Sequence, residues 1–473
     1  MTPEKYDLIV IGSGPAGEKG AATAAFFGKR VALVEKEPVF GGTAANTGTL
    51  PSKTLRETAL FLSGFRNREL VGLHFGLKEK VTVRDFLTRE RLVKENERAR
   101  ILDNLRRHHV HIYMGTASLV DAHTVAVRPE RCPEFQIHGD VILIATGSYP
   151  YRPPTYPFHD PRVYDSDTVL NIHEIPASLM AVGGGVVGCE YACLFAALGV
   201  EVSLIEKREQ LLPFLDREIV AGLKARMEDL GVRFYMPDSV ESVANEETLE
   251  IQLHSGTQLK VETLLISSGR CGNSGALALD RVGIAANDQG KITVNENYQT
   301  TVPNVYAAGD VIGNPALAST SMEQARVAVT HAFQFQYKED VAPILPYGIY
   351  TIPECSMAGE SEETLTEKKV PYVAGRANYA GNARGQIVGD TRGFLKLLFR
   401  EDDMRLLGVH MIGEQATELI HIGLTGLLAN ASAELFIQTC YNYPTLAEMY
   451  KYAAYDALGR RAQRRKERAA AKK

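Results

Sequence analysis

Cysteine is scarce in this chain of 473 residues, and none of the six falls in a CxxC pair. Cys132, Cys189, Cys193, Cys271, Cys355 and Cys440 lack the spacing of a secreted disulfide framework, which points to a reducing compartment. Cys189 and Cys193 stand four apart on an apparent helix with no further ligand in sight, so no metal site is expected. Proline is also sparse, 21 residues against 41 glycines, while 45% of the chain is hydrophobic. That balance excludes a collagen-like, coiled-coil or largely disordered chain and supplies several cores. At roughly 150 residues per domain, the length predicts about three. No apolar run approaches the roughly 18 residues that a bilayer span needs. The N-terminus does not read as a secretory leader, because Tyr6–Ile11 already has the pattern of a buried strand. A cytoplasmic protein is the expectation. Excess positive charge is missing too, since the formal net charge is −5. Residues 460–473 hold eight Lys/Arg and one Glu, which leaves −12 on the rest. A body that acidic argues against general nucleic-acid binding.

What is present is one pattern twice. Leu8-Ile-Val-Ile11 leads into Gly12-Ser-Gly14-Pro-Ala-Gly17, an alanine-rich helical stretch follows, and the strand Arg30–Val34 ends at Glu35. Leu179-Met-Ala-Val182 leads into Gly183-Gly-Gly185-Val-Val-Gly188, then a helix through Leu198 and a strand from Val200 that ends at Glu206. In both, the acid falls 18 positions after the third glycine. The first glycine makes the strand-to-helix turn, the second lets backbone approach a pyrophosphate, and the third packs helix on strand. The helix N-terminus then faces the anion and the acid accepts from ribose hydroxyls. A lone GxGxxG says little; two copies in strand–turn–helix–strand context, each with its acid, predict two dinucleotide sites. Each half closes on a returning strand, Asp140–Gly147 and Thr263–Arg270. Two such sites suggest one resident and one diffusing redox nucleotide.

Together with Gly41-Gly-Thr43, Pro51-Ser-Lys53, Ala145-Thr-Gly147, Cys189-Glu190 and Tyr306-Ala-Ala-Gly-Asp310, these motifs make the chain resemble the flavoprotein disulfide reductases over about residues 5–459. The resemblance implies an α/β fold of two Rossmann-like domains plus a C-terminal α+β dimerisation domain. It places FAD-binding parts at 1–150 and 272–342, an NAD(P)-binding domain at 151–271, a dimerisation domain at 343–459 and a basic tail at 460–473, expected to be frayed or disordered. The partner it implies is a second copy of the chain, in a homodimer or larger homo-oligomer.

One departure is decisive. The family carries two redox cysteines in GGTCxxxxCxPSK, and here those positions are Ala44 and Thr49. Neither can form a thiolate, so thiol–disulfide exchange is excluded there. The family's His before Pro-Thr, oriented by a Glu, is here Tyr443, with Glu448 five positions on. A phenol with an ordinary pKa near 10 is a poor base at neutral pH. The chain is most similar to the branch without the disulfide, the soluble (Si-specific) pyridine nucleotide transhydrogenases. The strings that carry this are Tyr164-Asp-Ser-Asp167, Gly348–Glu354, Glu418–Gly423 and Asn442–Thr445. That branch keeps one of the two cysteines and this chain keeps neither. The activity it implies is hydride transfer between NADPH and NAD⁺ through FAD, in a ping-pong order.

The resemblance also implies site residues. FAD is expected on Gly12, Gly14 and Gly17, with Glu35 at the adenosine ribose, Gly42, Thr43 and Gly147 along the pyrophosphate and flavin, and Asp310 at the ribityl chain. Lys53 and Glu190 are expected to meet beside the flavin, where Lys53 needs a carboxylate to stay charged. NAD(H) or NADP(H) is expected on Gly183, Gly185 and Gly188, with Glu206 at the ribose and Gly269-Arg270 closing the site. Glu206 suits a 2′-hydroxyl and repels a 2′-phosphate, although Lys207 and Arg208 follow it and could pair with one. Tyr443 and Glu448 are expected to face a second subunit's flavin. The sequence leaves open a flavin reductase passing electrons to a quinone, and a catalytically quiet flavoprotein, although a scaffold needs neither Lys53–Glu190 nor two phosphate loops. Val83–His109 reads as a solvated amphipathic helix, with His108, His109 and His111 at its end as ordinary helix-end residues.

Overall fold

The computed structural model describes residues 4–63 and 82–471. The run Leu8–Ile11 offers no polar face, as a strand covered on both sides requires, and it sits at the centre of a seven-stranded sheet. Strand Glu4–Ile11 lies between Val31–Glu35 and Phe135–Ile144, parallel to both, with His111–Met114 beyond Val31–Glu35. The long strand Phe135–Ile144 divides its other edge. Its first residues pair antiparallel with Thr124–Arg128, which continues to Thr116–Leu119, and its last pair parallel with Val305–Ala307. A strand 300 residues along the chain thus completes the sheet that the N-terminus begins.

The segment between repeats the order. Ser178–Val182 lies between Glu201–Ile205 and Thr263–Ile266, with Arg233–Tyr235 and Val163–Asp165 at the two edges, all parallel. An antiparallel sheet of Val240–Asn245, Leu249–Leu253 and Gln258–Val261 precedes the returning strand, as Thr116–Arg128 precedes the first one. The chain crosses between the units as a two-stranded ribbon, Ser148–Pro150 against Arg270–Gly272.

From Tyr347 a further, five-stranded antiparallel sheet forms, in the order Tyr347–Ile349, Cys355–Gly359, Leu406–Ile412, Phe394–Arg400, Tyr372–Asn378. Val409, Met411, Leu397 and Phe399 bury their side chains in one core with Ile420, Phe436 and Tyr450 from the helices that cover the sheet. The last helix, Met449–Ala470, packs so closely that a Cβ on Gly375 would lie 2.0 Å from the Ala453 carbonyl oxygen. The expected α/β architecture, two nucleotide-binding units and a C-terminal α+β unit, is the one observed.

The reading of one charged segment needs correction, and that of another is extended. The basic tail is not frayed at residue 460: it continues the last helix to Ala470. Acceptors from elsewhere hold it there, with Arg461 on the Asp402 carbonyl, Arg464 on the Tyr372 carbonyl at 2.7 Å and Arg468 against Glu401 at 2.8 Å. The helix Val83–Arg107 opens with a capping box between Thr82 and Asp85 and buries Phe86, Leu87, Ile101 and Leu105. Its middle is more than a solvated face, because Lys94 and Arg98 reach the cavity described below. At its end His108 bonds the Asn104 carbonyl and His111 the Tyr6 hydroxyl. Among the described residues, no helix is long and apolar enough to cross a membrane.

Candidate functional site

The two glycine turns are built alike. Gly12 and Gly183 have φ of +103° and +104°, and a Cβ on either would strike the carbonyl oxygen of the returning strand, Ala145 at 2.5 Å or Ser267 at 2.7 Å. A Cβ on Gly17 or Gly188 would lie 1.9 Å from the carbonyl oxygen of the first glycine. These four positions admit no side chain. The second glycines differ: Gly185 has nothing within 4 Å, and Gly14 only the Gly42 Cα at 3.9 Å. Each turn therefore leaves open backbone ahead of a helix start, Pro15–Phe26 or Val186–Ala197, which is the surface a pyrophosphate requires.

In front of the first turn is a cavity of about 540 Å³. Gly12, Gly14, Glu35, Gly42, Thr43, Gly147 and Asp310 all line it, so segments scattered from residue 12 to residue 310 meet at one place. Gly17 packs behind the turn. Asp310 accepts from the Ser148 hydroxyl at 2.8 Å. Ala44 and Thr49 line the same wall, and among the described residues no cysteine does. The donor set suits FAD: a glycine turn without Cβ atoms in the way, a buried acid at one end and an open wall at the other.

One helical turn after Thr49, Lys53 points its ammonium at Glu190, with Nζ to Oε2 at 2.7 Å. The side chains are 26% and 7% exposed. The other oxygen of Glu190 accepts from the Tyr350 backbone N–H at 2.9 Å, and the ammonium lies 4.9 Å from the Tyr350 ring centre. Lys53 comes from helix Thr49–Leu62, Glu190 from the helix of the second glycine turn and Tyr350 from the C-terminal unit. Three parts of the chain fix one charge, and Arg56 reinforces the joint by donating to the Thr351 carbonyl at 2.9 Å.

The two acids repeat one arrangement as well. Glu35 accepts from the Ser13 and Glu37 N–H groups at 2.8 and 2.9 Å. Glu206 accepts from the Gly184 and Arg208 N–H groups at 2.7 and 2.9 Å. Glu206 alone is also gripped by a guanidinium: Arg208 Nε and Nη2 each lie 2.8 Å from one of its oxygens. Burial by itself would push the Glu206 carboxyl up, but Arg208 and the backbone donors outweigh it and hold the group below its ordinary range.

Other predicted residues stand apart. Gly269 is open, with φ +99°. Arg270 spends its guanidinium on Ser148, Ser166 and Asp167 at 2.8–3.1 Å, so it ties the ribbon between the units. Tyr443 is 75% exposed in the C-terminal unit and does not line the cavity. Glu448 accepts from Tyr452 at 3.3 Å. No hydrogen bond joins Tyr443 to Glu448 among the described residues. Burial pushes the Cys193 thiol up to about 12 and raises Cys189 and Cys355 as well, so these sulfurs near Glu190 stay protonated and inert. Sequence reasoning missed Lys94, Arg98, Ser148 and Tyr350. Lys94, Arg98 and Ser148 sit in no motif, and Tyr350 falls in a string that assigned it no role; only the fold brings them to the site.

Residues 6–332 match the family described as pyridine nucleotide-disulphide oxidoreductase, and residues 345–454 match its dimerisation domain. The chain belongs to that family. As a pyridine nucleotide-disulphide oxidoreductase it uses FAD with a nicotinamide nucleotide, and its C-terminal unit is the dimerisation domain. It is 43% identical over 458 residues to a soluble pyridine nucleotide transhydrogenase of Mycobacterium bovis, covering 96% of this chain and 98% of that protein. A protein of the same name from Pseudomonas putida is 40% identical over 469 residues, covering 97% and 100%. Among solved structures, the HOCl-induced flavoprotein disulfide reductase RclA of Escherichia coli superposes with a TM-score of 0.86 at 28% identity, over 95% of this chain and 99% of that one.

Proposed function

We propose that this chain is a cytoplasmic, Si-specific pyridine nucleotide transhydrogenase that moves a hydride between NADPH and NAD⁺, one nucleotide leaving before the other enters. The observation that carries this is the wall of the 540 Å³ cavity, where Ala44 and Thr49 replace sulfur in an otherwise complete cradle. Bound FAD supplies the two-electron acceptor and donor. With no cysteine lining that cavity among the described residues, the electrons leave on an exchanging ligand, and the second glycine turn offers a site for one.

On this reading Gly12, Gly14, Gly17, Gly42, Thr43 and Gly147 cradle FAD, with Glu35 at its adenosine ribose and Asp310 at its ribityl chain. Gly183, Gly185 and Gly188 hold the nicotinamide nucleotide, with Glu206 at the ribose and Gly269-Arg270 at the edge of the site. Lys53 brings its ammonium to the reacting end, where the Glu190 carboxylate holds it in place at 2.7 Å. Hydride transfer asks for orientation rather than for a protein acid or base, which fits an exposed Tyr443 to which no carboxylate is hydrogen-bonded among the described residues. Tyr443 and Glu448 then serve the second subunit's site through contact alone. The names of the relatives support the reaction.

The test is anaerobic transfer from NADPH to thio-NAD⁺ by the purified flavoprotein, with NADH and a quinone run in parallel. Rapid transfer between nucleotides is expected. Reduction by NADH alone with ready passage to quinone would make the protein a quinone reductase instead.

A further inference from the structure

A buried carboxylate at the ribose should reject a 2′-phosphate, yet a transhydrogenase must admit NADP(H) and NAD(H) to the same place. We infer that Arg208 resolves this conflict by masking Glu206: it yields the carboxylate to the 2′-hydroxyl of NAD(H) and offers its guanidinium to the 2′-phosphate of NADP(H). The inference rests on the placement of the nicotinamide nucleotide at the second glycine turn.

Three observations support the exchange. First, Glu206 is held by the Gly184 and Arg208 backbone N–H groups at 2.7 and 2.9 Å, so the carboxylate stays in place when the guanidinium leaves. Second, the pair is unevenly buried, with the Glu206 side chain 3% exposed and that of Arg208 45%. A guanidinium half in water is rehydrated when it lets go of the carboxylate, and the same exposure lets a phosphate reach it from outside. The bidentate grip uses Nε and Nη2; among the described residues Nη1 makes no hydrogen bond, so donors remain for an incoming oxygen.

The third observation is an internal control. The first cradle holds Glu35 by the same two kinds of backbone bond, from Ser13 and from the residue two positions on. There that residue is Glu37, which is exposed and faces Lys36 at 3.6 Å rather than Glu35. A strand end with two acids suits a nucleotide that carries no 2′-phosphate, as FAD does. The cradles match until the second residue after the acid, and there one carries Glu and the other Arg.

The test uses the holoprotein under anaerobic conditions, with apparent Kd values for NADPH and NADH taken from flavin reduction rates. The variants are Glu206→Gln, Arg208→Gln, Arg208→Lys and the double Gln variant. Arg208→Gln should weaken NADPH about a hundredfold, because a charge-assisted pair is lost and the carboxylate is unmasked, while NADH changes by less than about threefold or tightens. Arg208→Lys, which keeps the charge but not the fork, should fall between. In the Glu206→Gln background the Arg208→Gln step should cost NADPH only about tenfold, since no charge remains to mask. An equal loss for both nucleotides, or an equal NADPH cost in both backgrounds, overturns the masking role. If no variant shifts either nucleotide, the placement of the second cradle fails with it.

Discussion

The first glycine turn looks into a cavity walled by segments from residues 12, 35, 43, 147 and 310, with Lys94 and Arg98 from a distant helix completing the rim. The second turn ends at an acid gripped by a half-exposed arginine. Their backbones differ hardly at all: Gly12 donates to the Val34 carbonyl and Gly183 to the Ile205 carbonyl, both at 2.8 Å. On the proposed reading, one supersecondary unit serves two kinds of occupancy. A ligand walled in by five segments is hard to release and suits a resident cofactor, whereas a ligand that meets a half-exposed arginine suits exchange. The glycine pattern sets the cradle, and the residues around it decide how long the guest stays.

The largest effect should come from breaking each turn separately. Gly17→Ala and Gly188→Ala each force a Cβ to 1.9 Å from a backbone oxygen, an overpacking that costs about 3 kcal/mol or more. Gly17→Ala should purify without flavin absorbance or fail to accumulate. Gly188→Ala should stay yellow yet lose reduction by both nucleotides at least about a hundredfold. Flavin absorbance per chain and stopped-flow reduction separate the two, and loss of flavin from both variants would show that the cradles do not have separate guests.

A smaller effect tests the point where the units meet. Lys53→Met removes the charge that Glu190 and Tyr350 hold in place while leaving the FAD cradle intact. Reduction by NADPH should slow more than about tenfold, about 1.4 kcal/mol in the barrier, with FAD still bound. An unchanged rate of flavin bleaching would remove Lys53 from the chemistry.

The paired cradles were legible because every part is local: a strand, a spaced glycine turn, a helix and an acid 18 residues on. Lys53 and Glu190 are 137 residues apart, and only a family resemblance joined them before the fold did. Tyr350 was invisible because it works through its backbone N–H and the placement of its ring. Lys94 and Arg98 were hidden in a run of mixed charge that reads as a solvated face. The tail has few apolar residues, so composition suggests disorder, but the Tyr372 and Asp402 carbonyls that fix it come from other elements. Beside Glu206 the sequence showed a base next to an acid, without saying which of phosphate and carboxylate the base would face.

The finest test transplants the difference. Glu37→Arg gives the first cradle the residue that the second has at the same offset from its acid. The backbone N–H of residue 37 already bonds Glu35 at 2.9 Å, as that of Arg208 bonds Glu206, so the new side chain starts where Arg208 starts. It can fold back onto Glu35 and compete with the adenosine ribose for the carboxylate. Losing the exposed Glu37–Lys36 contact costs little, so thermal stability should move by less than about 1 kcal/mol. On the proposed placement FAD would retain its pyrophosphate and ring contacts, and only one hydrogen-bonding group is contested. The rate of flavin release should therefore rise about three- to tenfold, the loss of roughly one hydrogen bond, read as recovery of flavin fluorescence after dilution. No change in release would mean that the residue two past the acid does not reach the ribose in the first cradle. The contrast between Glu37 and Arg208 would then no longer bear on which nucleotide each cradle accepts.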